Sequence, residues 1–411
     1  MSNYMKNIFN TIKNNIQWNG LTLFLLTLMI HTIVVVLLNL GVVSVPASPS
    51  DDAAYHLHAS AIADLLRSGK YTWAAIYPHH WYPLFVGGVY ALLGTSILVG
   101  SLVNAVVISG ASVLLYRTIL LKGVSKSVSF VTVFIVMNFY ASLVYMTSLL
   151  LKESLILALL IIIIYSATKM AKSNRFLYGY LLLFFISFIL LRNLRFFVSF
   201  AAMAGFFIEW FFNSVYVIRK RIIIGISMFI GLTVITGIFF TGWGIGKNMG
   251  ISQYVNPKFI FELRRSYYSE GTTTTKIAVV KKEEVAPIPI TVNNEEIPES
   301  PEIYKFSGKS ILSSFSIILL GPFPWQLSLR QYMVVALDLI VWYALFLVAT
   351  TALVGTSFRK IIPFVVMICI LLGALVLGVD NLGALMRYRI PVLIVVAILS
   401  ALGFEIFKKQ K

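Results

Sequence analysis

About ten stretches of this chain are apolar for long enough to cross a bilayer, or nearly so, and that single feature decides most of what it can fold into. They fall at about 20–43, 97–120, 127–148, 154–170, 176–191, 196–218, 222–241, 331–354, 361–379 and 390–407. A hydrocarbon core about 30 Å thick needs roughly 20 apolar residues in a helix, where every backbone polar group is bonded internally. The runs at 154–170 and 176–191 are short, but polar boundaries enclose both. The first run, at about 23 residues, exceeds the apolar region of roughly 7–15 residues in a secretory signal, so it is read as a helix. The expected fold is an all-α polytopic membrane protein, with 1–411 forming one membrane domain.

Composition narrows the function classes. Hydrophobic residues make up 59% of the chain and charged residues 12%, against about 25% charged in a soluble domain. A water-soluble enzyme, a disulfide scaffold and a disordered chain are excluded. The single cysteine, Cys369, lies inside an apolar run, so neither an intramolecular disulfide nor a cysteine metal cluster is possible. The net charge of +17 reads as cytoplasmic anchoring residues and contact with anionic lipid, not as nucleic-acid binding.

Sidedness follows from where the cations stand. Lys6 and Lys13 precede the first run. Arg117, Lys122 and Lys126 surround the second connection, and Lys169, Lys172 and Arg175 fill the fourth. Arg219, Lys220 and Arg221 fill the sixth, Arg359 and Lys360 the eighth, and Lys408, Lys409 and Lys411 end the chain. These are alternate connections, which predicts both termini on the cytoplasmic side of the cell membrane.

Two outer segments are too long for simple turns: 44–96 and 242–330. Within the second, 270–303 is rich in Thr, Pro and paired Lys and Glu, and is expected to form a mobile flap. The apolar stretch ILSSFSIILLGPFPW at 311–325 is short, and counting it as a span would turn Arg359 and Lys360 outward. It is expected to be an interfacial or re-entrant helix on the outer face. No internal repeat is visible.

The remaining charges break the positive-inside pattern. Arg67, Lys70, Lys152, Arg192, Arg195, Arg330, Arg387 and Arg389 all fall on outer connections. Arginines converging at outer helix ends suit a bound anion, because the guanidinium offers a planar fork of donors to phosphate. Arg192 and Arg195 are three apart in LLRNLRFF, so on helical spacing they share a face; snorkelling to lipid headgroups is the plainer alternative. Arg387 and Arg389 are two apart and face different ways on a helix, so one would bind and the other anchor. Lys152 and Glu153 stand where the third and fourth runs meet, and a self-neutralising helix start would also explain them.

Asp51 and Asp52 stand just beyond the outer membrane surface in SPSDDAAYHLHA. A carboxylate there can take the proton of a hydroxyl acceptor brought within about 3 Å. The plainer alternative is an N-cap, by Ser50 or Asp51, on a helix at 53–67. His56, His58, His79 and His80 share this segment. With the two aspartates they suggest a divalent ion (Mg or Mn), but the spacings 56/58 and 79/80 are wrong for one helical face, and hydrogen bonding to a sugar or phosphate is the favoured role. Tyr77, Trp81 and Tyr82 suit stacking on sugar rings, or equally an interfacial aromatic belt.

In this order the landmarks resemble a GT-C glycosyltransferase of the bacterial group related to protein mannosyltransferases and lipid A aminoarabinose transferases. The landmarks are Asp51-Asp52-Ala53-Ala54-Tyr55 with the small residues Ala59 and Ala63, and the stretch from Tyr77-Pro78-His79-His80-Trp81-Tyr82-Pro83 to Gly94. Lys152-Glu153, Arg192, Pro-Phe-Pro-Trp at 322–325 and Arg-Tyr-Arg-Ile-Pro at 387–391 follow. Pro-His-His-Trp departs from the Pro-Pro or Pro-Gly of many relatives, and where some relatives carry a folded soluble domain after the last run, the acceptor site here is expected to come from the outer loops. The resemblance implies an inverting transfer of a sugar from a polyprenyl-phosphate donor to a glycan, lipid or protein acceptor on the outer face. It implies Asp51, with Asp52 beside it, as the base, and Arg192, Arg387 and Arg389 as holders of the donor phosphate. Arg195 and Lys152 are added as phosphate-binding candidates, and Tyr55, His56, His79, His80, Tyr82 and Glu153 as substrate-positioning candidates.

Three ionisable residues, His31, Glu209 and Asp338, fall near the middle of their runs. Such residues mark transport paths by default, so a transporter or a flippase of lipid-linked glycans is the rival reading, with a lipid-linked glycan polymerase or ligase behind it. Matched interrupted helices, expected of inverted repeats, are missing from the sequence.

Overall fold

The computed structural model describes residues 19–42, 50–70, 81–173, 178–214, 329–378 and 382–410, together with Gly225, Phe315, Ile318, Leu319 and Gly321. Among them, secondary structure is helical throughout. The helices are α1 (Gly20–Asn39), α2 (Ser50–Arg67), α3 (Trp81–Leu93), α4 (Ile97–Leu121), α5 (Lys126–Phe139), α6 (Ala141–Ser148), α7 (Glu153–Lys172), α8 (Tyr178–Leu194), α9 (Phe196–Asn213), α10 (Leu329–Gly355), α11 (Phe358–Gly378) and α12 (Leu382–Gln410).

Seven of these are long and apolar enough to cross a membrane, or eight if the bent pair α5 and α6 is one span. The chain is therefore a multi-pass membrane protein. Of the ten expected spans, the one at 222–241 lies, apart from Gly225, outside the described residues, as do His79, His80, the flap 270–303 and 322–325. The expected span at 127–148 is broken: α5 and α6 meet at 65°, with Tyr140 between them in an extended conformation. The expected span at 176–191 is α8, an apolar helix of 17 residues. The last helix starts at Leu382, well before the expected 390, so it carries Arg387 and Arg389 within it.

Patterning explains which helices are central. On α1, Leu21, Leu25, Met29, Ile33 and Val36 are exposed, while Leu23, Thr27, His31 and Val35 are buried. The steps of three and four residues make one lipid-facing stripe and one packed stripe. By contrast 83% of the apolar window of α7 and 78% of that of α12 is buried, against 22% for α1. Helices α7 and α12 therefore form the centre, and both begin with ionisable residues at the same end of the bundle. At the crossing of α12 and α10, a Cβ on Gly403 would overlap the Val348 carbonyl oxygen; only a glycine lets these backbones approach so closely.

The two ends of the bundle differ in charge. One end gathers Lys122, Lys126, Lys169, Lys172, Arg359, Lys360, Lys408 and Lys409 at the ends of α4, α5, α7, α11 and α12. It is tied by Lys122 Nζ to Glu209 Oε2 at 2.5 Å, by Asn213 to the Arg359 carbonyl at 2.8 Å, and by the Ser125 amide to Glu405 at 2.9 Å. The opposite end collects the start of α7, the break between α8 and α9, and the first turns of α12.

Candidate active site

The site is built from the ends of four helices. Glu153 opens α7, where the helix N-terminus favours an anion. Arg195 is the extended residue (φ −158°, ψ 95°) separating α8 from α9. Arg387 stands about a turn and a half into α12, and Asp51 in the first turn of α2. Pro391 lacks an N–H, so the Arg387 carbonyl loses its helical partner while the helix runs on.

These four side chains form one chain of ion pairs. Arg387 Nε and Nη2 both donate to Glu153, the latter to Oε2 at 3.2 Å. Arg195 Nη2 donates to Glu153 Oε1 at 2.8 Å. Arg387 Nη1 donates to Asp51 Oδ2 at 2.6 Å. Exposure separates the links: the Glu153 side chain is 2% exposed and that of Arg195 5%, whereas Asp51 is 50% exposed. A buried ion pair that loses one partner costs about 3–5 kcal/mol, because the other charge is stranded. A half-exposed pair such as Asp51 with Arg387 is held by about 1 kcal/mol or less.

Two further residues face this chain. Tyr55, one helical turn after Asp51, meets Tyr82 edge-on at 5.1 Å. Burial pushes its phenol up to about 12, and it feels the charges of Arg387, Glu153, Asp51 and Arg195. Lys152, immediately before α7, is half-buried. Burial pulls its ammonium down to about 8, Arg195 and Arg387 add to the fall, and Glu153 and Asp51 oppose it. Two carboxylates against Arg195, Arg387 and Lys152 leave a net charge of +1 when all are ionised. Among the described residues Arg195 Nη1 is buried without a hydrogen-bond partner, and an unmet buried donor costs about 1–3 kcal/mol unless a ligand or water takes it.

Sequence reasoning missed the residue that holds this end together. Asn104, a lone amide in the apolar α4, shares its two N–H donors among Tyr82 Oη at 2.9 Å, the Leu149 carbonyl at 2.7 Å and the Leu151 carbonyl at 3.0 Å. It fixes the turn that delivers Lys152 and Glu153. A single amide in an otherwise apolar span was the available signal. Tyr388 was missed as well; its ring lies 4.3 Å from the Arg195 guanidinium carbon, a cation–π contact.

Arg389 turns away from Arg387, is fully buried, and donates Nη2 to the Ile318 and Gly321 carbonyls, the latter at 2.7 Å. Its guanidinium lies 5.0 Å from the Trp342 ring. It ties α12 to 318–321 rather than joining the cluster. Arg192 is half-buried in the last turn of α8, and the extended backbone at Arg195 breaks the helical spacing that would give the two one face. Asp52 accepts from the Ala53 amide at 2.8 Å. Helix α2 starts at Ser50, so both aspartates lie inside its first turn rather than before a helix at 53–67. His56 bonds Tyr90 Oη at 3.0 Å, and Arg67 donates to the Tyr90 and Ala91 carbonyls and to Thr95 Oγ1; these contacts clamp α2 to α3.

Among the described residues no three His, Cys, Asp or Glu side chains converge as metal ligands. Asp51 is held by Arg387 and His56 by Tyr90, and His79 and His80 of the suggested set lie outside the described residues.

Of the three intramembrane ionisable residues, two bond to α5 and α6 on either side of their break and the third stands at the lysine-rich end. His31 bonds the Met137 carbonyl at 3.0 Å. Asp338 accepts from the Ser142 amide at 3.0 Å and from its hydroxyl, capping α6 after the break. Glu209 is paired with Lys122 at the lysine-rich end, not at mid-span. Each is held by its own local bonds.

No family model matches this chain, and no curated protein or solved structure matches it significantly.

Proposed function

We propose that the chain is a membrane glycosyltransferase that moves a sugar from a polyprenyl-phosphate donor to an acceptor hydroxyl on the outer face of the cytoplasmic membrane. The observation that carries the reading is the cluster of Asp51, Glu153, Arg195, Arg387 and Lys152, at the end of the bundle opposite the lysine-rich end. On the positive-inside rule the lysine-rich end is cytoplasmic, so both termini are cytoplasmic and the cluster faces outward. A GT-C-type arrangement is consistent with acids following the first span and cations at later outer helix ends.

The chemistry asked of these residues is specific. The acceptor oxygen attacks the anomeric carbon as its O–H proton passes to Asp51. The bond from that carbon to the phosphate oxygen breaks, and its electron pair stays on the phosphate. The growing phosphate charge is met by Arg387, Arg195 and Lys152, donors already held in place before reaction. A site carrying net +1 and an unmet guanidinium N–H favours one anionic phosphate. The apolar outer faces of the helices suit a polyprenyl tail, which stays in lipid. The acceptor is a glycan, lipid or protein.

The test is release of free polyprenyl phosphate, followed by mass spectrometry. Purified protein in lipid nanodiscs is offered a panel of polyprenyl-phosphate sugars and a cell-envelope extract. Turnover of one donor that falls at least about a hundredfold in Asp51→Asn, with the protein folded and donor still bound, supports the reading. No turnover of any donor, or full turnover in both Asp51→Asn and Arg387→Gln, overturns it.

A further inference from the structure

We propose that the contact between Asp51 and Arg387 is exchangeable: the donor phosphate takes the place of Asp51 on Arg387, so the carboxylate is released as a base only once the donor is bound. This inference rests on the donor reading above and adds an order of binding to it, donor before acceptor.

Arg387 divides its nitrogens unequally. Nε and Nη2 both face Glu153, a 2%-exposed carboxylate that also holds Arg195. Only Nη1 reaches Asp51, at 2.6 Å, and that carboxylate is 50% exposed. Water can take over the hydration of Asp51 as it leaves, whereas departure of Glu153 would strand two buried guanidinium groups. The scaffold is unequal in the same sense. Glu153 opens the central, buried helix α7, while α2 lies outside the candidate spans and is clamped to α3 by His56 and Arg67. An anionic oxygen arriving at the rim therefore meets one guanidinium position whose present partner can move away.

Charge makes the exchange competitive. Asp51 and a phosphate oxygen both seek Nη1, and two anions on one edge of the fork repel. Glu153 keeps Arg387 aimed while its outer edge changes partner. Arg195, held by the same Glu153, has its Nη1 without a hydrogen-bond partner among the described residues and is a second donor for the phosphate. Before the donor arrives, one oxygen of the base candidate is held by an arginine; on the exchange it is freed beside the sugar.

The test is equilibrium binding of farnesyl phosphate, a short prenyl phosphate, to the full chain in lipid nanodiscs. Asp51→Asn and Asp51→Ala should bind about two- to fivefold more tightly than wild type, the factor expected when a competing half-exposed pair is removed. The alanine variant matters because an asparagine oxygen can still accept from Arg387. Asp52→Asn removes the same charge from a neighbour bonded to the Ala53 amide and should change the affinity by less than about 1.5-fold. Glu153→Gln should weaken binding. Unchanged or weaker binding in both Asp51 variants overturns the exchange and leaves the donor reading standing; so does an equal gain in Asp52→Asn, which would report charge alone. A folded wild type that does not bind farnesyl phosphate overturns both.

Discussion

Glu153 and Arg387 stand 234 residues apart in the chain and meet in a two-point ion pair that is almost wholly buried on the glutamate side. Arg195 completes the glutamate's partners, so one carboxylate aims two guanidinium groups. Replacing it by Gln leaves both cations short of a counter-charge. Glu153→Gln should lower stability by about 3–5 kcal/mol and reduce donor turnover, while Glu153→Asp retains part of both. Thermal unfolding in nanodiscs beside the donor assay checks this; wild-type stability in Glu153→Gln would contradict it.

The ammonium of Lys152 gives the site a pH response. It is lowered from 10.5 to about 8 by burial and by Arg195 and Arg387. Below about pH 8 it is charged and helps to hold a phosphate; above, it is neutral. Farnesyl phosphate affinity should fall as pH rises through about 8, and Lys152→Met should flatten that limb. Stability runs the other way. Between about 8 and 10.5 the unfolded chain binds the proton and the folded chain does not, so this group's contribution to stability rises with pH across that window. Titration of binding and of the unfolding temperature, in wild type and Lys152→Met, separates the two effects.

Asn104 holds the turn that precedes Glu153. In Asn104→Leu the Leu149 and Leu151 carbonyls and the Tyr82 hydroxyl lose their shared donor. The expected cost is about 1–3 kcal/mol, with a fall in turnover because Lys152 and Glu153 are displaced together. Asn104→Asp, which cannot donate from the same atom, should resemble the leucine variant. A stable, fully active Asn104→Leu would show that the turn needs no such tie.

The lysine-rich end offers a pair free of the catalytic question. Lys122 and Glu209 are 3% and 2% exposed and 2.5 Å apart. Either Lys122→Met or Glu209→Leu alone should cost about 3–5 kcal/mol, whereas the double variant should recover most of that loss. Comparison of the three unfolding temperatures reads the coupling. Donor turnover in the double variant should match wild type, since the pair lies at the far end of the bundle.

Much of the candidate site was visible in the sequence as residue types at helix ends, but its wiring was not. Lys152 beside Glu153 reads as a self-neutralising start to a helix, yet the glutamate's ion-pair partners are Arg195 and Arg387. Arg192 and Arg195 read as one face until an extended residue separates α8 from α9. Arg387 and Arg389 differ by two positions, and that offset sends one to Glu153 and the other to the carbonyls of Ile318 and Gly321. Asp338 reads as a transport residue, yet it caps a helix that begins only because α5 and α6 part at Tyr140.

What the sequence determined by itself was local and repetitive: that the chain is helical, that its helices cross a membrane, and that cations gather on alternate connections. These follow from the apolar content of about 20 neighbouring residues and the cost of unbonded backbone in lipid. Tertiary structure alone decided which charges meet. Asp51 and Arg387 are 336 residues apart, and nothing in the neighbourhood of either names the other. They pair because α7 and α12 fill the centre and bring their starts to one end, where α2 lays its first turn against them. An ion pair depends on position to within an ångström or two, and that is set by how whole helices pack, not by the spacing along any one of them.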